Sequence, residues 1–125
     1  MLTEIRIPAP PARSGGAYLK LERKVGDYAT AAAAAQVTLG STGTIERAGL
    51  ALTNVGPTPV KATDAEKFLA GKRPDAGTLG EAGQRAAKAA SPSADRRGSV
   101  EYKREMARVL TTRALKLAVE RAGGR

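Results

Sequence analysis

Residues 31–35 are five consecutive alanines, followed by Gln36, Val37, Thr38, Leu39 and Gly40. This run constrains the fold most, because its two halves pull in opposite directions. Alanine is the best helix former, whereas the residues that close the run favour strands. A helix here would have Asp27 as its cap, but it lacks a convincing stop. Residues 36–39 continue extended into Gly40-Ser41-Thr42-Gly43, which reads as a hairpin turn. TIERAGLALTN (44–54) then returns as a further strand with Gly49 inside it. Pairing favours a long strand over about 29–39 that turns back into 45–53. A continuous run of small apolar residues suits a strand buried on both faces.

Upstream, LTEIRIP (2–8) carries Ile5 and Ile7 on one face at period two and predicts a short strand. PAPPARSGG reads as a loop, since proline and glycine dominate it. AYLKLERK (17–24) places Leu19 and Leu21 opposite Tyr18 and Lys20 and predicts another strand.

The second half is helical in pattern. Thr63 with Glu66, and Thr78 with Glu81, each fit a capping box. The first helix would run through Phe68 and Leu69 to stop at Gly71. The second would run through Ala90 and end before Pro92. SPSADRRG (91–98) is a polar loop in which Asp95 and Arg97 could pair. Ser99 then caps a long helix from Val100 to about Ala122, with Gly123-Gly124 freeing its end. Tyr102, Met106, Val109, Leu110, Ala114 and Leu117 make one apolar stripe, with Lys103, Arg104, Arg108 and Lys116 off it.

Strands over about 2–54 therefore precede helices over about 63–122. That segregation predicts an α+β fold: an antiparallel sheet of three to four strands covered on one face by three helices. The 125 residues suit a single domain. Only Phe68, Tyr18, Tyr28 and Tyr102 are aromatic, so the core must be aliphatic.

Much chemistry is excluded. Cysteine and histidine are absent, which removes disulfides, thiolate metal sites and the usual nucleophile–base pairs. Neither the phosphate-loop pattern nor GxGxxG occurs. Arg96-Arg97-Gly98 is better read as a solvated turn than as a phosphate site. The net charge of +9 favours anionic partners in general. A nucleic-acid reading is disfavoured, because no basic run exceeds two residues and stacking aromatics are scarce. No apolar run approaches the roughly 20 residues of a membrane span. Residues 1–10 lack a signal peptide's apolar core, so the expected place is the cytoplasm. The start at Met1, directly on a strand, fits either a short complete chain or a piece of a longer protein.

Three stretches, in order, resemble one family across essentially the whole chain. YLKLERKVGDYATAAAAAQVTL (18–39) is similar to the opening of the C-terminal domain of flavoprotein subunits in molybdenum hydroxylases. The matching residues are Tyr18, Arg23, Lys24, Gly26, Asp27 and Tyr28. LALTNVGPTPVKA (50–62) resembles that family's Val-Gly-Pro-Thr-Pro segment. SPSADRRGSVEYKREMARVLTTRAL (91–115) resembles its Arg-Gly-Ser and Glu-Tyr-Arg series, with Lys103 in place of a usual arginine. The likeness through GDYATAAAA is greatest to the medium subunits of aerobic carbon monoxide dehydrogenases, and looser to xanthine dehydrogenase relatives.

The resemblance implies a domain that helps to form an FAD pocket. It implies as partners an N-terminal FAD-binding portion, an iron–sulfur small subunit and a molybdenum-cofactor large subunit. Electrons would pass from molybdenum through the clusters to FAD, and this chain alone would not turn over substrate. It places Tyr28 against the isoalloxazine with Asp27 beside it, and the alanine strand near the cofactor. Lys20 and Arg23 would contact the flavin or its pyrophosphate; on residue chemistry alone they are solvated strand charges, and Tyr28 is a half-buried turn tyrosine. A stand-alone module completing a split flavoprotein is the alternative reading.

Overall fold

The alanines at 31–35 are extended in the computed structural model, which describes residues 1–123. Strands β1 (Ser14–Leu21), β2 (Ala31–Leu39), β3 (Ile45–Thr53) and β4 (Val60–Lys61) form one antiparallel sheet in sequence order. Helices α1 (Thr63–Leu69), α2 (Ala76–Ala89) and α3 (Val100–Ala122) follow. The fold is the expected α+β arrangement of sheet and three helices.

Register explains the alanines. Rows such as Leu19–Ala33–Leu52 and Ala17–Ala35–Leu50 cross the sheet on the face toward the helices. The odd-numbered residues of β2, from Ala31 to Leu39, all belong to this core. α3 lies on β1 and β2 and presents Ala107, Ala114, Ala118 and Ala122 among its buried residues. The approach is so close that a Cβ on Gly15 would collide with the Ala118 carbonyl oxygen. Small side chains on both layers therefore let helix and sheet backbones approach each other. The same device joins α2 to α3, where a Cβ on Gly83 would collide with Thr112 Oγ1.

The opposite face carries the rows Tyr18–Ala34–Ala51 and Gly16–Gln36–Gly49. These residues, with Pro59 and Lys61, line a shallow, largely apolar hollow.

The outer edge of β3, beyond its short pairing with β4, is closed by three devices. Glu66 Oε1 accepts from the Leu50 amide at 2.8 Å. The Ala62 amide donates to the Leu50 carbonyl, and the Gly71 amide donates to that of Ile45. An edge with satisfied backbone groups is a poor template for pairing with another strand.

Several expectations fail for identifiable reasons. Residues 2–8 form no strand: Ile5 and Ile7 are exposed, and no neighbour in the described structure pairs with them. Period-two patterning supplies a face but not a partner. Neither threonine capping box forms. α1 has no side-chain cap, and its Glu66 is spent on the sheet edge. In α2 the cap is Asp75, whose carboxylate accepts from the Thr78 amide. The two-residue β4 is too short to show in the sequence pattern. α3 starts and ends where expected, capped by Ser99. Its buried face, however, is Lys103, Ala107, Leu110, Thr111, Ala114, Leu115 and Ala118, while Tyr102 is exposed. Leu110 and Ala114 of the expected stripe are buried, but the face is centred about one position along, on Ala107, Thr111, Leu115 and Ala118. Gly124 lies outside the described residues.

Candidate functional site

The turn between β1 and β2 is built on Gly26. Its φ of 85° lies in the left-handed region that glycine tolerates best. The Asp27 amide donates to the Lys24 carbonyl at 3.1 Å and closes the turn. Residues 26–28 are thus a tight turn and not the start of an extended ribbon; β2 begins only at Ala31.

Asp27 organises this corner. Its Oδ1 accepts from the Tyr28 amide at 2.8 Å, and its Oδ2 from Arg23 Nε at 3.2 Å. Arg97, from the loop before α3, donates Nη2 to Oδ1 at 3.3 Å. The Tyr28 amide foremost, then Arg23 and Arg97, hold the carboxyl below the usual carboxylate range. Lys20 Nζ donates to the Asp27 backbone carbonyl at 3.1 Å and pairs with Glu22 at 2.6 Å. The hydrogen bond with Glu22 is the main reason that its pKa is raised.

Asp27 thus turns the Tyr28 backbone, and the ring stands out into solvent at 82% exposure, not half-buried. The Arg97 guanidinium carbon is 5.8 Å from the ring centroid, within cation–π range. A second segment flanks the ring. Asn54, at φ 58°, donates its side-chain amide to the carbonyls of Ala29 and Thr30. That pins Gly56-Pro57-Thr58-Pro59 beside the turn. Tyr28, Asn54, Gly56, Pro57 and Arg97 line a hollow of about 320 Å³.

Of the four residues expected at a site, all sit in this corner. The Tyr28 ring is exposed, whereas the Asp27 carboxylate is largely covered and engaged by the Tyr28 amide, Arg23 and Arg97. Lys20 and Arg23 are engaged by Glu22 and Asp27, so their charges are already largely compensated. The alanine run is buried, as its composition suggested: Ala31, Ala32, Ala33 and Ala35 are covered, and Ala34 alone is partly open. The small side chains serve the packing of α3 first. The expected pair of Asp95 with Arg97 forms only through the Arg97 backbone amide. The Arg97 guanidinium crosses to Asp27 instead. Asn54 does more than belong to a rigid turn; its positive φ and two carbonyl partners make it the pin. A short polar residue before Val-Gly-Pro was the available signal.

The corner can present an aromatic face backed by a cation to a planar group. Among the described residues no cluster could hold a metal ion, and no helix is long and apolar enough to cross a membrane.

The chain is similar to known proteins along nearly its whole length. The family described as CO dehydrogenase flavoprotein C-terminal domain matches residues 16–118. The carbon monoxide dehydrogenase medium chain of Afipia carboxidovorans is 47% identical over 122 residues, which are 98% of this chain and 42% of that protein. The medium chain from Hydrogenophaga pseudoflava is 38% identical over 94% of this chain and 41% of its own length. Among solved structures, the reconstituted CO dehydrogenase from Oligotropha carboxidovorans superposes with a TM-score of 0.86 at 44% identity, over 92% of this chain and 40% of that one. The chain therefore spans about two fifths of the length of the curated relatives it matches.

Proposed function

Because the chain belongs to the CO dehydrogenase flavoprotein C-terminal domain family, we propose that it closes one side of a flavin pocket in the FAD-binding subunit of a molybdenum hydroxylase of the carbon monoxide dehydrogenase type. The observation that carries this reading is the exposed Tyr28 ring, fixed by Asp27 and backed by Arg97.

The residues present fit one face of an isoalloxazine. Tyr28 offers a flat, electron-rich surface, and ring stacking contributes beyond simple burial. The hollow of about 320 Å³ beside it suits the edge of a ring system, not a whole dinucleotide. Lys20 and Arg23 do not line that hollow, and each is paired with a carboxylate. The main grip on FAD, including its phosphates, accordingly belongs to an N-terminal FAD-binding portion.

FAD, when bound, supplies an acceptor for electrons delivered by iron–sulfur clusters on a partner subunit and passes them onward. Substrate oxidation at a molybdenum centre belongs to a further, large subunit. This chain's own work is mechanical and electrostatic. The Gly26 turn sets the ring height, Asp27 fixes the Tyr28 backbone, and Arg97 supplies positive charge beside the ring. That charge favours negative charge gained by a neighbouring group.

The test is titration of the purified chain with FAD, followed by flavin fluorescence. Weak or undetectable binding is expected. Tight, stoichiometric binding would overturn the division of labour.

A further inference from the structure

We propose that Lys103 is a positioning residue: buried in α3, it sets the place of Arg97 and, through Arg97, that of the Asp27–Tyr28 turn. Lys103 is only 2% exposed. An ammonium is retained at that depth only with close partners. It has two, both in the 91–98 loop. Its Nζ lies 2.8 Å from Asp95 Oδ2 and donates to the Ser93 carbonyl at 3.0 Å.

Asp95 then passes the constraint on. Its Oδ1 accepts from the Arg97 backbone amide at 2.8 Å. Asp95 and Gly98 also exchange backbone hydrogen bonds at 3.2 and 3.1 Å. One carboxylate therefore holds the rigid helix with one oxygen and the Arg97 backbone with the other. The Arg97 side chain leaves that fixed point, reaches Asp27 at 3.3 Å and lies over the Tyr28 ring. The loop has no regular secondary structure of its own beyond that short bridge. The Ser91 amide on the Val55 carbonyl at 2.8 Å anchors its start, and the buried lysine anchors its middle.

The consequence for a flavin rests on the reading given under Proposed function, but the positional claim does not. It is tested without flavin, on the full chain labelled with 3-fluorotyrosine. The fluorine resonance of Tyr28 is assigned with Tyr28→Phe. Arg97→Gln defines the signal of a ring that has lost its cation. Lys103→Met and Asp95→Ala are each expected to move the Tyr28 resonance toward that Arg97→Gln position and to leave Tyr18 in place. Asp64→Asn, which breaks the Arg85 pair at the α1–α2 junction, is the control and should leave Tyr28 unmoved. Should Lys103→Met fail to fold, Lys103→Gln, which keeps a donor for the Ser93 carbonyl but loses the charge that pairs with Asp95, takes its place, because Asp95→Ala also removes the acceptor of the Arg97 amide. A Tyr28 signal unchanged in the folded Lys103 variant, or unmoved even in Arg97→Gln, would overturn the proposal. Bound FAD of equal brightness and affinity in the full subunit and its Tyr28→Leu variant would strike the flavin reading and leave this relay standing.

Discussion

Arg97 and Asp27, seventy residues apart in sequence, are joined at 3.3 Å between guanidinium and carboxylate. This contact ties the loop that launches α3 to the turn that launches β2. It brings a cation from the helical half of the chain to an aromatic residue in the strand half. Asp27 also satisfies the Tyr28 amide, so one carboxylate fixes both parts of the corner.

An acid dependence follows. The folded pKa of Asp27 is depressed, so its contribution is present above the unfolded value of about 3.9 and is lost as pH falls through the folded value. Asp27→Asn should melt at a lower temperature than the parent chain near pH 6. The two melting curves should begin to approach each other as pH falls below about 3.9 and converge only below the depressed folded value, where the native carboxyl protonates. Melting temperatures recorded from about pH 6 down to about pH 2 span both values and check this. A constant difference across that range contradicts it.

Two glycines should respond oppositely to alanine. At Gly15 a Cβ would collide with the Ala118 carbonyl of α3, so Gly15→Ala should lose about 1–3 kcal/mol through overpacking. Gly80 lies inside α2 with no atom within 4 Å of the added carbon. Gly80→Ala should therefore gain about 0.5–1 kcal/mol from helix propensity. Urea unfolding of both variants compares the signs directly.

The edge of β3 offers a third test. Glu66→Ala strips the Leu50 amide of its acceptor and should cost about 1–3 kcal/mol, the penalty for an unsatisfied part-buried donor. Glu66→Gln keeps an acceptor oxygen and should stay close to the parent. Equal losses in the two variants would assign the effect to charge and not to the hydrogen bond.

The architecture was legible because hydrophobic periodicity and turn chemistry agree along most of the chain. The Gly40–Gly43 hairpin closes with the Gly43 amide on the Gly40 carbonyl at 3.0 Å, and Ser99 caps α3 as its position suggested. Less legible were features that depend on a distant partner. Thr63 and Glu66 match a capping box, yet Glu66 has a better use on an unpaired strand amide. Ile5 and Ile7 alternate as in a strand, but no edge receives them among the described residues. Lys103 reads as a surface charge until the 91–98 loop folds over it. In the candidate corner, the turn at Asp27 and Tyr28 was legible from the Gly-Asp-aromatic pattern. Arg97 was not, because its local neighbour Asp95 looked like a sufficient partner.

Tyr28 at a flavin face is the centre of the functional reading. Its ring is 82% exposed, so Tyr28→Leu should leave folding stability within about 0.5 kcal/mol of the parent. The decisive measurement is the fluorescence of FAD bound to the subunit that carries this domain, compared between the parent and its Tyr28→Leu variant. Stacking on tyrosine quenches flavin emission, so the variant should be brighter and hold FAD less tightly. Bound flavin of equal brightness and equal affinity in both proteins would place the ring elsewhere and contradict that reading.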